Sequence, residues 1–580
     1  MGRQRMTGYA AREHHGILTT PEAVAYGAAN WGNDVALRVW RDGAYQEITR
    51  IELSNRVDAL AAGLISLGVR PKNLVALLGE NRPEWAIGYL GIHRAGASVV
   101  PLDSLLTPRE LRPLLIDSAV SVIIVSPRFV DDILELKKSV DTLETVICMD
   151  DAVAAAKDSP GVIGMDAVSR RADGETPVLP EVTLDDLAAL IYTSGTTGKA
   201  KGVMLSQRNI MSDVALSGQI LILGPGDNFL SVLPLHHTFE CTAGFLVPLY
   251  WGAAITYARS LKSRDIIDDA RNTGATYLLG VPLLFEKMMQ GIQRKLDQQP
   301  TSKKVLIRTL FGIERLGRKV GLRLGGKLFH SLREKAGLGT LTTLIAGGAA
   351  LPEYVASWFS SLGFDLSQGY GLSETSPIVC VPPAKFDNPA SVGPAIPEVE
   401  VRIDNPDDEG HGEICVRGPI VMMGYYRNDE ATREVIDEDG WLHTGDIGCI
   451  DKKGFVYISG RMKNVLVTPS GKNVYPEEIE HVINQCPTVL ESMVYGTPTV
   501  GGEEVRAYVV PDPVWFEEQG TLREKPFEQP EIDGMVMSEV QTALADVAEY
   551  KRPRRVDIRR DEFEKTSTKK IKRFLYATAK

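Results

Sequence analysis

Apolar and polar positions in the first third of the chain fall into short blocks that predict strands and helices in turn. Residues 74–78 form a short apolar run of strand character, and residues 97–101 and 120–125 repeat the pattern. Between these runs, Asn81-Arg82-Pro83-Glu84-Trp85 opens a helix, with proline at a permitted first-turn position. Thr107-Pro108-Arg109-Glu110 begins another, which runs through Leu115. Strands and helices in this succession predict parallel sheets covered by helices. No short-period internal repeat is evident.

The pattern changes further along. Residues 291–336 carry Arg294, Lys295, Lys303, Lys304, Arg308, Arg315, Arg318, Lys319, Arg323, Lys327, Arg333 and Lys335 against only Asp297, Glu314 and Glu334. Leu306, Leu310, Phe311, Ile313 and Leu316 are interleaved, as in a basic amphipathic helix. Two readings stay open for it: a solvated face whose apolar side packs on the body, or a surface that meets anionic lipid. Residues 455–458 read as a strand, and Gly460-Arg461-Met462-Lys463 marks a boundary. Beyond it, residues 465–467, Val474, a helix over 476–483 and a strand over 505–510 predict a small α+β unit. The chain is expected to divide into residues 1–461 and 462–580. Residues 511–533, rich in proline and glutamate, read as a surface excursion, and residues 551–573 are basic.

Composition narrows the class. The chain has 580 residues, 44% hydrophobic and 24% charged, which excludes a disordered or fibrous protein. That length is too great for one compact core. Its longest apolar stretches are interrupted, as residues 86–102 are by His93 and Arg94, so no membrane span is expected. Residues 1–6 lack an apolar signal core, and Met6 stands where myristoylation needs serine or threonine. The six cysteines form no CxxC pair and suggest neither a disulfide framework nor a zinc site; reduced cytoplasmic thiols fit them. A net charge of -11 argues against a dedicated nucleic-acid binder. The 54 glycines matter chiefly for where they cluster.

One such cluster is Tyr192-Thr193-Ser194-Gly195-Thr196-Thr197-Gly198-Lys199-Ala200-Lys201-Gly202, which follows the strand-like run 187–191. Its glycines let backbone N–H groups turn toward one point, its hydroxyls add donors, and Lys199 and Lys201 add charge. A polyphosphate needs several such donors at once. A Walker A loop fails here, because Gly195 and Gly198 stand too close and Ala200 follows Lys199 where the magnesium hydroxyl belongs. The bland alternative is a Ser/Thr-rich surface turn.

The segment resembles YTSGTTGxPKG of the adenylate-forming superfamily of acyl-CoA synthetases, adenylation domains and luciferases, with Ala200 in place of proline. The resemblance extends in order across most of the chain. Leu233-Pro234-Leu235-His236-His237-Thr238-Phe239-Glu240 is similar to the segment beside the acyl pocket, with His237 at the family's histidine. Ala346-Gly347-Gly348-Ala349-Ala350 resembles the small-residue turn beside adenine. Gln368-Gly369-Tyr370-Gly371-Leu372-Ser373-Glu374-Thr375 resembles the YGxTE motif. Gly412-Glu413-Ile414, Gly418-Pro419, Gly424-Tyr425 and Trp441-Leu442-His443-Thr444-Gly445-Asp446 match later signatures. Lys463 matches the hinge position, with Asn464 where aspartate or serine is usual. The segment 565–572 resembles KTxTGKI, with Lys570 at its lysine and Lys569 at its glycine.

The resemblance implies an α/β fold: a large N-terminal body of parallel sheets, helices and a β-barrel-like part, then a small mobile α+β domain. It implies that Thr193, Ser194, Gly195, Thr196, Thr197, Gly198, Lys199 and Lys201 cradle the phosphates of ATP. Gly348, Ala349, Gln368, Gly369, Tyr370, Gly371 and Ser373 would serve the adenine. Asp446 and Arg461 would take the ribose, with Lys463 at the hinge. Glu374 and Thr193 would hold magnesium, and Lys570, Thr193, Glu374 and His237 would be catalytic. Phe239-Glu240 and the segment 280–287 are most similar to long-chain fatty-acyl-CoA synthetases, and Asn81-Arg82-Pro83-Glu84-Trp85 and the basic insert also resemble that subgroup. The activity so implied joins a fatty acid to coenzyme A through an acyl-AMP. An acyl-AMP ligase that loads another acid or a carrier-protein thiol, and a non-catalytic nucleotide- or lipid-binding relative, stay open. So do a homodimer and peripheral membrane contact of this cytoplasmic chain through residues 291–336.

Overall fold

The computed structural model describes residues 13–157, 162–171, 177–193, 200–221, 223–384, 386, 388–469, 472–499, 501–565 and 571–576. The chain falls into two compact units, Met1–Glu400 with Val416–Leu442, and Val401–Cys415 with His443–Lys580. The boundary expected near residue 461 lies inside the second of these, at the end of a strand.

Two large sheets build the first unit. One runs Gly424–Tyr425, Lys201–Ser206, Leu187–Thr193, Ser98–Leu102, Leu74–Leu78, Val122–Val125, Thr145–Cys148 and Val162–Gly164, edge to edge. The other runs Asp365–Gln368, Thr343–Ala346, Tyr277–Gly280, Asn228–Ser231, Ala254–Tyr257, Val35–Arg41 and Ala44–Thr49. The apolar runs of the first third occupy central, parallel positions, with Leu74–Leu78 between Ser98–Leu102 and Val122–Val125. Continuous burial of Val122–Val125 is the mark of a strand covered on both faces. The helices begin where their caps predict. Pro83 opens Pro83–Arg94. Ahead of Pro108–Ser118, the Thr107 N–H and hydroxyl both donate to Glu110, at 2.9 and 2.7 Å. At one edge the sheet turns antiparallel, where Lys201–Ser206 folds back on Leu187–Thr193 and sets Thr193 opposite Lys201.

In the basic stretch, the helix Thr301–Lys319 has two dissimilar faces. Ile307, Leu310 and Phe311 pack on a core cluster that includes Phe329. The fully buried Glu314 accepts hydrogen bonds from the Leu324 N–H at 2.8 Å and from Arg318 at 3.1 Å. On the other side Val305, Leu306, Ile313 and Leu316 are exposed. Among the described residues, no helix is long and apolar enough to cross a membrane.

The second unit contains most of a four-stranded sheet, Glu400–Asp404, Gly412–Arg417, Leu442–Ile450 and Val456–Arg461. A hairpin of Leu466–Val467 and Asn473–Val474 follows. A further sheet of Val489–Thr499, Gly502–Pro511 and Arg555–Ile558 shares a core with the helices Pro476–Ile483 and Gln529–Ala543. Residues 511–533 are not an irregular excursion. Asp512 caps a helix, Pro513–Leu522, by accepting from the Val514 and Trp515 N–H groups at 2.9 and 3.2 Å. Phe516 and Phe527 then meet edge to face at 5.3 Å. Proline here starts helices rather than breaking them. A cleft of about 1090 Å³ opens beside this segment, and no expected site residue lines it.

Candidate active site

Three elements of the first unit converge beside the phosphate-loop motif. Thr193 ends one strand, Lys201 begins its partner, and the Thr193 hydroxyl donates to the Lys201 carbonyl at 3.4 Å. The edge strand Gly424–Tyr425 pairs with residues 203–204, which puts the Tyr425 ring 4.7 Å from the Lys201 ammonium. The Tyr425 hydroxyl donates to Glu374 Oε1 at 2.9 Å, and the Glu374 carbonyl accepts from the Met422 N–H at 2.9 Å. Lys201, Tyr425 and Glu374 thus form one chain of contacts. Ser194, Gly195, Thr196, Thr197, Gly198 and Lys199 lie outside the described residues.

The small-residue turn and the YGxTE segment are built together. The Gly369 N–H donates to the Ala346 carbonyl at 2.9 Å, and the Gln368 side chain accepts from the Leu351 N–H at 2.9 Å. Gln368 therefore shapes the turn from within. Gly348 adopts φ +82°, which glycine alone takes without strain, and Ala349 beside it is exposed. A side chain on Gly371 would meet the Pro377 carbonyl oxygen, so the half-buried Tyr370 is followed by a residue that must stay bare. Ser373 approaches Thr238 through their hydroxyls at 3.4 Å, and the Thr242 hydroxyl donates to the Ser376 carbonyl at 2.8 Å. A Cβ on Gly347 would come within 2.7 Å of the Phe239 ring. The histidine segment is thereby fastened to both the small-residue turn and the YGxTE segment.

A buried polar network fixes that histidine segment. Asn81 Nδ2 donates to the Leu233 carbonyl at 2.6 Å and to the Ser231 hydroxyl at 3.0 Å, while Asn81 Oδ1 accepts from the Leu235 N–H at 3.0 Å. Ser231 in turn donates to Glu240 Oε1 at 2.5 Å. Glu240 opens a π-helical turn, Glu240–Leu246, and Gly244 leaves room for the carboxyl: a Cβ there would come within 2.7 Å of both its oxygens. Burial pushes the Glu240 carboxyl up to about 8, against a smaller opposing effect of the Ser231 hydrogen bond, so the protonated, neutral form predominates near pH 7. Burial also drives the His237 imidazole down to about 3, helped by neighbouring His236 and opposed by Asp103.

In the second unit, Asp446 and Arg461 face each other across the strands Leu442–Ile450 and Val456–Arg461. Arg461 Nε lies 2.6 Å from Asp446 Oδ1, with the carboxylate buried and the guanidinium half-exposed. Lys463 is exposed in the short turn that follows, and Asn464 donates to Glu477 Oε1 at 2.6 Å. Lys570 lies outside the described residues, as does Lys569. On either side of that segment, Lys565 and Ile571 form an antiparallel bridge, and Lys565 Nζ is ion-paired to Glu491 at 2.7 Å.

Sequence reasoning gave no role to Tyr425, Asn81 or Ser231. Their partners stand far along the chain, and linear spacing carries no signal for such contacts. For Asn81 the signs in the sequence are its place just before a proline-started helix and its share in the resemblance to long-chain fatty-acyl-CoA synthetases, neither of which gives its partners.

The family profile described as AMP-binding enzyme matches residues 24–426, and that described as AMP-binding enzyme C-terminal domain matches residues 478–570. A methyl-dioxo-octahydroindenyl-propanoyl:CoA ligase of Rhodococcus jostii is 33% identical over 85% of this chain and 89% of its own. A long-chain-fatty-acid–CoA ligase of Escherichia coli is 33% identical over 80% of this chain and 82% of its own. The crystal structure of ATP-bound MatB from Rhodopseudomonas palustris superposes with a TM-score of 0.74 at 26% identity, covering 96% of this chain and 98% of that one.

Proposed function

The chain belongs to the AMP-binding enzymes and is an acid–CoA ligase of the adenylate-forming kind, and from that premise we propose that its acid is a long-chain fatty acid. The structural observation behind this choice is Glu240, which argues against an amino acid. A neutral carboxyl turned into the interior and held by Ser231 cannot counter the ammonium of an amino acid. The Escherichia coli relative supports the same choice.

In the first half-reaction a carboxylate oxygen attacks the α-phosphorus of ATP, pyrophosphate leaves, and an acyl-AMP forms. In the second, the thiol of coenzyme A attacks the acyl carbon, and AMP leaves. Two anions must meet in the first step, so the work is electrostatic. Lys201, with Ser194, Gly195, Thr196, Thr197, Gly198 and Lys199, holds the phosphates. Lys570 steadies the charge that develops at the α-phosphate. Tyr370 and Gly348, with Ala349, Gln368, Gly369, Gly371 and Ser373, take the purine. Asp446 and Arg461 take the ribose, and His237 orients the acid. Glu374 and the Thr193 hydroxyl are hard oxygen donors, a set that fits Mg2+. When bound, the ion neutralises charge between phosphate oxygens. Residues from 462 onward, with Lys463 at the hinge, change position between the half-reactions.

The exposed apolar face of Thr301–Lys319, flanked by Lys303, Lys304, Arg308 and Arg315, fits contact with an anionic lipid surface, where a long-chain acid resides.

The test is pyrophosphate release with acids of graded length, plus a ring-bearing propanoic acid, offered with coenzyme A or a carrier-protein thiol. Long-chain acids with coenzyme A should give the highest kcat/KM. No release dependent on fatty acid would overturn the proposal. Lys570→Ala should slow adenylation about 100-fold or more and spare thioester formation from supplied acyl-AMP.

A further inference from the structure

Beside the histidine loop, Asp103 stands just past the strand Ser98–Leu102, and the rings of His236 and His237 lie 4.1 Å apart. One ligand atom from each of these three residues lies within 4.8 Å of the other two. The His236 side chain is only 4% exposed, yet neither ring nitrogen makes a hydrogen bond. Its Nε2 lies 3.1 Å from Asp103 Oδ1, an ion-pair distance without hydrogen-bond geometry. His237 Nε2 is also buried and without a hydrogen bond. The Leu105 N–H donates to Asp103 Oδ1 at 2.8 Å and steadies the carboxylate. Orphaned buried nitrogens are rare in folded proteins and call for an explanation.

We propose that Asp103, His236 and His237 form a binding site for a divalent transition-metal ion of the zinc class, and that its occupancy withdraws His237 from the acid substrate. Two imidazoles and a carboxylate suit Zn2+, Co2+ or Ni2+, whereas Mg2+ prefers oxygen ligands and water. Ligand atoms of a tetrahedral zinc centre stand about 3.3 Å apart, so small side-chain rotations complete the set. The cluster Glu413, Cys415 and His443 offers similar ligand types but is already satisfied. His443 Nδ1 lies 2.8 Å from Glu413 Oε2, and the Gly445 N–H donates to Glu413 Oε1 at 2.9 Å. It therefore has no comparable demand for an ion. Inhibition rests on the reading that His237 faces the acid; the metal site itself does not.

Full-length protein stripped with a chelator, free of nucleotide, is titrated with Zn2+ by calorimetry. One equivalent should bind at this site. Asp103→Asn or His236→Gln should weaken it at least about 10-fold, and Cys415→Ser should leave it unchanged. Equal zinc affinity in the wild type and both folded variants overturns the site. If the variants do not fold, X-ray absorption of the wild-type zinc complex decides: a nitrogen and oxygen shell supports the site, and a shell containing sulfur rejects it. Zinc should also slow acid-dependent pyrophosphate release of the wild type about 10-fold or more, an effect that His236→Gln abolishes. Zinc bound at Asp103 and His236 without that slowing would leave the site standing and remove His237 from the acid.

Discussion

Glu240 carries a consequence for pH that follows from its surroundings. Its carboxyl is raised to about 8 by burial, from an ordinary value of 4.5. Between these limits the folded protein keeps a proton that the unfolded chain releases. The stability linked to this group is therefore fully present below about 4.5 and is lost as pH rises through about 8. Cys241 and Tyr257, which feel its charge, and Tyr89, which interacts with Cys241, are raised by burial too and add no charge in that window. Glu240→Gln keeps an acceptor for Ser231 and abolishes the titration. Thermal unfolding of the variant should lose less stability between about pH 6 and pH 9 than the wild type does. Equal losses would mean that the wild-type carboxyl is already ionised. The identity of residue 240 was legible in the sequence as a mark of substrate class. Its protonation was not, because that depends on Ser231 and Gly244, which reach it only through the fold.

Between elements, one side chain does the joining. Asn81 stands ahead of the helix Pro83–Arg94 and bonds the Leu233 carbonyl, the Leu235 N–H and the Ser231 hydroxyl. Asn81→Ala removes the partner of the Leu233 carbonyl and the Leu235 N–H, which costs about 1–3 kcal/mol, while Ser231 keeps its bond to Glu240. Urea unfolding should show that loss. Steady-state kinetics should show KM for the acid rising several-fold while KM for ATP moves little, because the loosened loop carries His237. Equal effects on both substrates would reject a positioning role. Strands and capped helices were readable because continuous apolar runs and Thr-Pro-x-Glu starts are local signals, as at Thr107. The helix Pro513–Leu522 was missed because prolines set close together were weighed as breakers, although Asp512-Pro513 is itself a start signal. The motifs that the resemblance assigns to phosphate, adenine and ribose were visible as sequence, but the junction of Lys201, Tyr425 and Glu374 needed the sheet edge to bring them together.

At the scale of the whole molecule, a net charge of -11 conceals one surface of opposite sign. The outer face of Thr301–Lys319 joins exposed Val305, Leu306, Ile313 and Leu316 to flanking cations. Co-sedimentation should be strong with vesicles containing about a third anionic lipid, weak with neutral ones, and relieved by about 0.5 M salt. Leu306→Ser with Leu316→Ser should lower the bound fraction several-fold. Binding indifferent to both salt and lipid charge would count against the contact. The division of the chain has a different reach. Because the second unit is drawn from Val401–Cys415 as well as His443–Lys580, exchange of this unit between related ligases involves three splice points rather than one. A transplant that begins at His443 alone would leave the native 401–415 ribbon to pair with a foreign sheet. One that carries the ribbon along inherits the bonds of Glu413 to Gly445 and His443 ready made, and so moves a self-consistent module.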